Sequence, residues 1–367
     1  RPDGLPAWDT LSVGEKVVAA RMMEVFAGML AYQDAQIGRV FDEVDRMGET
    51  ENTLILFIEG DNGTSSEGGI KGTTNWSAAI GQAFKEDDVW LQSQLNDLGS
   101  ERSYGHFPTG WAWALNAPFP WFKQVASHLG GTRNPLVVSW PAGIPERGVR
   151  SQFLHVTDIM PTVLEAAHIA TPDSVNGTRQ TKLEGTSFAY SFANASAPER
   201  KKTQYFELFG NRGIYHDGWL AGTTPNRVPW KSAAGAPVAI TEWKWELYDL
   251  THDFGQANNL AEKYPTRLKF MRDMWDKQAW THQVYPLDDS TLARLRINPY
   301  QKGRTRYVYW GGDLHISQDN APPLGHQAFT ASADIVIPEN GASGVLLASG
   351  GTFGGWAFHF SNGVPVV

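Results

Sequence analysis

Thr53-Leu-Ile-Leu-Phe-Ile-Glu-Gly-Asp61-Asn62-Gly63-Thr64 carries the fold assignment. Leu54 to Ile58 is apolar at every position. A run without alternation predicts a strand buried on both faces of a parallel sheet. It stops at Gly60 and then presents two oxygen-bearing side chains, Asp61 and Asn62. In open α/β sheets ligands sit beyond the carboxyl ends of the strands. A carboxylate beside an amide oxygen suits a hard cation such as Ca²⁺ or Mg²⁺. Asp-Asn-Gly is equally an ordinary turn at a strand end, and the triplet alone leaves both readings open.

Working outward, Ser12-Val-Gly-Glu15 has capping-box spacing and opens a helix upstream of the strand. Val18, Met22, Phe26, Leu30, Ile37, Phe41 and Val44 keep an approximate i, i+3/i+4 stripe along it. Gly28 and Gly38 read as tolerated costs, close-packing points or a break, and Gly48 reads as a C-cap. Downstream, residues 64–75 form a polar, Gly-rich connection at the ligand end of the sheet, where long loops are functional or mobile. Leu136 to Trp140 is a second buried strand, and Thr157 to His168 a helix with Pro161 in its first turn. Residues 172–202 turn polar and read as a loop or linker. Tyr205–Trp219 and Trp243–Leu250 alternate as antiparallel strands, followed by an amphipathic helix from Asn259 to about Ala279. Beyond about Asp288, Phe329–Val336 and Val345–Ala348 predict a β-rich module.

The 367 residues suffice for two or three domains, and 41% hydrophobic with 19% charged content excludes a disordered chain. Fifteen Trp imply large apolar surfaces to bury, or to stack on sugars or aryl groups. The net charge of −8 argues against a nucleic-acid partner. An anionic substrate must therefore be held by local cations or a metal. With no Cys, thiolate zinc sites and a Cys nucleophile within these residues are excluded. No apolar run approaches a membrane-spanning length, so no membrane partner is expected.

Met23-Glu-Val-Phe-Ala-Gly-Met-Leu-Ala-Tyr-Gln-Asp34-Ala-Gln-Ile-Gly38-Arg-Val-Phe, then Asn52-Thr-Leu-Ile-Leu-Phe, then Gly60-Asp-Asn-Gly63, together resemble the sulfatase family, more narrowly its bacterial arylsulfatases. Trp121-Phe-Lys123-Gln-Val-Ala-Ser-His128-Leu-Gly-Gly131-Thr-Arg133 extends the match in the expected order. The resemblance implies a partial alkaline-phosphatase-like α/β core over residues 1–200. A small α+β subdomain follows over 201–287, then a truncated β-rich extension over 288–367. It implies Asp61 and Asn62 as metal ligands, Ca²⁺ with Mg²⁺ possible, and Lys123 as the catalytic cation that contacts a small-molecule sulfate ester. The remaining metal carboxylates and the formylglycine nucleophile are expected upstream, so this chain alone is expected to be inactive.

Each residue also has a plainer reading. Lys123 between aromatics is otherwise a lysine snorkelling over apolar neighbours. His128 and Arg133 read as structural, and Asp158 of His155-Val-Thr-Asp158 as a helix cap. Asn62-Gly-Thr, Asn75-Trp-Ser, Asn176-Gly-Thr and Asn194-Ala-Ser match a loose glycosylation pattern. Ser196-Ala-Pro198-Glu-Arg200 has the letters of the family's nucleophile motif but falls in the polar linker after Asp61, where a chance match is expected. A phosphatase or phosphonate-ester hydrolase of the same superfamily, a non-catalytic sulfated-glycan binder, and a stable fragment without function stay as alternatives. A periplasmic or secreted location is favoured over a cytoplasmic one, and the oligomeric state is open.

Overall fold

In the computed structural model, Ser12 caps the first helix as its spacing predicts. Its hydroxyl accepts from the Glu15 amide (3.2 Å), and the Glu15 carboxylate accepts from the Ser12 amide (2.9 Å). The structure describes every residue except 1, 3, 78–85, 227, 229, 231–237, 291–302, 311–313, 317–320, 323, 325–327 and 352–353. The chain divides into two units, Arg1–Ser290 and Thr291–Val367.

In the first unit, α1 (Val13–Arg46) runs unbroken through Gly28 and Gly38. A methyl group at either glycine would meet nothing within 4 Å, so they mark neither close packing nor a break. Only Val18, Ala19 and Met22 of α1 are buried. Val18 and Met22 join Leu91 of α2 (Asp88–Ser93), Leu98, Phe107, Ala112 of α3 (Thr109–Asn116) and Phe122 in one core. Phe122, the residue before Lys123, is fully buried in that core.

β1 (Ile55–Ile58) departs from the expectation. It pairs antiparallel with β2 (Leu136–Ser139), Ile55 opposite Ser139 and Ile58 opposite Leu136. Its residues are half-buried or exposed, because the described residues place one strand beside it and leave part of its apolar surface open. Continuous hydrophobicity reported a strand correctly and its neighbours incorrectly. Between β1 and β2 the chain closes the short α4 (Leu129–Thr132). After β2 come α5 (Ile159–Ala166) and a two-residue hairpin pair, β3 (Ser174–Val175) with β4 (Thr178–Arg179). Asp158 is buried under α5, accepting from the His155 amide (2.8 Å), the Thr186 amide (2.8 Å) and the Lys201 ammonium (2.9 Å).

A four-stranded antiparallel meander then forms: β5 (Thr203–Leu208), β6 (Asn211–His216), β7 (Trp219–Thr223) and β8 (Trp245–Asp249). The alternating run at 205–219 is interrupted twice, at Phe209-Gly210 and Asp217-Gly218, all four residues at positive φ. Two-residue loops of that conformation match the strand twist. α6 (Pro265–Thr281) packs Met271, Trp275 and Ala279 against Ile214, Ala221 and Leu247. It starts six residues later than its amphipathic pattern predicts, because Pro265 occupies the first turn. Among the described helices none is long and apolar enough to cross a membrane.

The second unit holds a three-stranded antiparallel sheet, β9 (Gly344–Gly351), β10 (Gly354–Ser361) and β11 (Val364–Val366), with a register shift at Phe358/His359. β9 contains the predicted run at Val345. The run at Phe329–Val336 forms no strand, and Val336 is 96% exposed. Alternation without a paired neighbour does not make a strand.

Two substitutions test this packing by urea denaturation. Trp275→Ala, removing a ring that is 1% exposed, should lower stability by about 3–5 kcal/mol. Gly28→Ala, in the open helix interior, should raise it by about 0.5–1 kcal/mol. A destabilising Gly28→Ala would mean that this face is covered in solution.

Candidate functional site

β1 ends at Gly60 and the chain turns through Asp61, Asn62 and Gly63. Asp61 is exposed and Asn62 half-buried, and the Asn62 amide donates to the Asp61 carboxylate. Asn134, just before β2, closes the turn: with its amide oriented to fit, Nδ2 donates to the Asn62 carbonyl (2.8 Å) and Oδ1 accepts from the Asn62 amide (3.3 Å). The Gly63 amide then donates to the Gly131 carbonyl (3.1 Å). A methyl group on Gly63 would lie 1.7 Å from the Gly130 carbonyl oxygen, so no other residue fits there.

This close approach sets the Asp61 turn against the segment that carries Lys123. The Lys123 amide donates to the Thr64 carbonyl (3.1 Å). Asn116, at the end of α3, fastens the turn and the Lys123 segment together. Its Oδ1 accepts from the Thr64 amide (3.3 Å) and hydroxyl (2.8 Å), and its Nδ2 donates to the carbonyls of Trp121 (2.6 Å) and Gly130 (2.5 Å). The Lys123 side chain is one-third exposed and its ammonium donates to Glu67 (3.2 Å). Gln124 donates to the other Glu67 oxygen (2.7 Å).

His106 borders the group. Its Nδ1 faces the Phe107 carbonyl (3.0 Å), which can only accept. Nδ1 therefore carries the proton, and in the neutral ring Nε2 accepts from the Ser65 hydroxyl (2.9 Å). Burial pushes the imidazole below its ordinary value, against the pull of the Phe107 carbonyl and Glu67 and with the push of Lys123.

His128 and Arg133 turn elsewhere. His128 is buried, with Ser127 Oγ at 2.8 Å from Nδ1 and Glu246 of β8 at 2.9 Å from Nε2. Glu246 also accepts from Thr224 and Tyr248 (2.6 Å each). Burial alone would raise the Glu246 carboxyl; the His128 contact, with Thr224 and Tyr248, overcomes it and holds the group at about 2. A serine, histidine and glutamate in line suggest a nucleophile, but Ser127 is fully buried, so the chain of contacts ties the meander to the Lys123 segment. The Arg133 guanidinium lies over the rings of Phe119 (4.9 Å) and Phe254 (5.1 Å). Ser196 sits in an irregular segment, its amide donating to Asn194 (3.0 Å), with no strand leading into a helix there.

Among the described residues no group of three or more His, Asp or Glu lies close enough to hold a metal ion. Asp61 and Asn62 offer one carboxylate and one amide oxygen. That donor set is compatible with a hard cation and supplies only part of the six to eight oxygens that Ca²⁺ takes. The structure therefore brings the Asp61–Asn62 turn and the Lys123 segment into direct backbone contact. Sequence reading missed Asn116, Glu67 and His106.

Residues 5–169 match the family model described as Sulfatase. An uncharacterized sulfatase of Schizosaccharomyces pombe is 31% identical over 275 residues, 74% of this chain and 46% of its own length. An arylsulfatase of Klebsiella aerogenes is 26% identical over 204 residues, covering 55% of this chain and 40% of its own. The solved structure of Ps i-CgsB aligns over 78% of this chain and 48% of its own, at 16% identity and a TM-score of 0.46. The chain belongs to the sulfatase family, and its described residues mix helices with sheets. It spans less than half the length of these curated relatives, which come from a yeast as well as a bacterium.

Two outcomes test this geometry. Gly63→Ala should unfold the loop or cost several kcal/mol, read as loss of protection of the Gly63 and Lys123 amides in hydrogen exchange. Glu246, depressed from about 4.5 to about 2, contributes stability that is complete above the unfolded value and lost as pH falls through this window. Glu246→Gln should therefore flatten the urea midpoint between pH 4.5 and 2.5. Parallel profiles for the two proteins would show that the carboxylate is not held as described.

Proposed function

We propose that these residues belong to a sulfuric ester hydrolase acting on aryl or related sulfate esters. Asp61 and Asn62 are its metal turn, and Lys123 is the cation that meets the sulfate. The observation that carries this is the Lys123 amide bonded to the Thr64 carbonyl at 3.1 Å, three residues beyond Asp61. In a chain of net charge −8 an anionic ester needs such a local cation. Lys123 is one-third exposed over a fully buried Phe122, so its ammonium is reachable and its stem is held.

Asp61 and Asn62 would hold the cation, with Ca²⁺ proposed ahead of Mg²⁺ because an irregular mixed oxygen set suits the more flexible ion. Bound there, it would act as a Lewis acid toward the ester. The chain's own contribution is positional: the turn beyond β1 presents the oxygens, and Lys123 neutralises charge on the sulfate or the leaving oxygen. The nucleophile, a formylglycine in this reading, and the other metal carboxylates come from outside these 367 residues. Two ligands alone should bind Ca²⁺ weakly.

The test is an aryl sulfate assay on a polypeptide that contains both these residues and the nucleophile segment. Hydrolysis of 4-nitrophenyl sulfate should require Ca²⁺ and stop on chelation. Lys123→Ala should lower kcat/KM by roughly a hundred-fold or more, the scale of one lost transition-state contact. Turnover of the phosphate ester in place of the sulfate would move the assignment to phosphatase chemistry. Undiminished Lys123→Ala activity would remove Lys123 from the site.

A further inference from the structure

Glu67 has no part in the reading above, yet its carboxylate is the best-anchored acid near Lys123. Its side chain is 13% exposed. Oε1 accepts from Gln124 Nε2 at 2.7 Å, and Oε2 accepts from Lys123 Nζ at 3.2 Å. Its backbone amide donates to Ser65 Oγ (3.3 Å), and Ser65 Oγ is in turn joined to His106 Nε2 (2.9 Å). Gln124 neighbours Lys123 in sequence, so one carboxylate grips two consecutive side chains. Trp121, two residues before Lys123, and Gln124 itself both have positive φ, so the segment is bent where Glu67 holds it. Burial pushes the His106 imidazole below its ordinary value, and Lys123 is the cation that donates to Glu67 in this group.

We propose that Glu67 is a positioning residue for sulfate recognition, fixing the Lys123 ammonium where the anion is met. The proposal rests on the assignment of Lys123 to the sulfate. An ammonium carries three donors, and a lysine stem has four rotatable bonds. Glu67 takes one donor and restrains the stem, so the remaining donors keep a fixed direction. A carboxylate this close could instead compete with the anion for Lys123. A competitor must be able to leave, however, and the Glu67 carboxylate is held by Gln124 independently of the lysine, while Ser65 holds the Glu67 backbone.

The experiment is an NMR titration of the full chain with inorganic sulfate, following the ¹⁵Nζ resonance of Lys123 and its relaxation. Wild type, Lys123→Ala, Glu67→Ala and the isosteric Glu67→Gln are compared. In the wild type the ammonium should be ordered and should respond saturably to sulfate. Glu67→Ala should lose that order and bind sulfate about ten-fold more weakly, with Glu67→Gln between the two, as one charge-assisted hydrogen bond is worth about that factor. A merely structural residue would change the melting temperature without changing the ammonium dynamics of the folded protein. Unchanged or tighter sulfate binding in both Glu67 variants, with Lys123→Ala still abolishing it, would overturn the positioning role alone. Should Glu67→Ala fail to fold, Glu67→Gln decides between these results. No sulfate response at Lys123 in the wild type, or full binding by Lys123→Ala, would overturn the assignment of Lys123 and the proposal built on it.

Discussion

Three glycines set the distance on which the site depends. With no side chain at Gly63, its amide reaches the Gly131 carbonyl at 3.1 Å, and the Gly130 carbonyl passes where a methyl group would stand. Gly130 and Gly131 are themselves pressed against the carbonyls of Pro120 and Val125, at 2.1 and 2.0 Å from where their own methyl groups would lie. The turn beyond β1, the bend carrying Lys123 and the short helix α4 thus stack backbone on backbone. Any Cβ in this stack would separate Asp61–Asn62 from Lys123. Asn116 then locks the arrangement, since one amide side chain satisfies four backbone or hydroxyl groups drawn from three segments.

The same logic joins the meander to this segment. Gly213 and Gly222 are paired across β6 and β7, and the backbone of Ala126 and Ser127 lies on them, with the Ser127 carbonyl 2.2 Å from a methyl group placed on Gly222. The polar clamp of His128 and Glu246 completes the seat. It replaces water that would otherwise solvate a buried imidazole and a partly buried carboxylate, the condition under which such groups are tolerated inside a protein. The Lys123 bend is therefore gripped from two sides, by Gly63 and Asn116 on one and by the meander on the other.

How much of this was legible in the sequence follows from the range of each contact. The Ser12–Glu15 cap, the strand at Leu54 and the Pro161 helix start are local, and local patterns report them. Gly210, Asp217-Gly218 and Pro265 were local signals too, and they explain why one long alternating run breaks into β5, β6 and the start of β7 and why α6 starts late. The open surface of β1 was not legible, because periodicity records what a strand can bury and not which neighbours the described chain provides. Lys123, Asp61 and Asn62 were singled out by resemblance to a family, since each has an ordinary local explanation. Asn116, Glu67 and His106 carried no signal: their contacts cross 52, 56 and 41 positions, beyond the reach of any local pattern.

The central claim is that the Asp61–Asn62 turn is a cation site lying against Lys123. The most direct measurement is paramagnetic broadening of the chain's amide and lysine ¹⁵N resonances by Mn²⁺, which reports a weak site by proximity. The account predicts that substoichiometric Mn²⁺ broadens Asn62, Thr64 and Lys123 together, that Ca²⁺ reverses the effect, and that Asp61→Ala removes it. Broadening confined to other acidic surfaces, with Lys123 sharp and Asp61→Ala without effect, would contradict it.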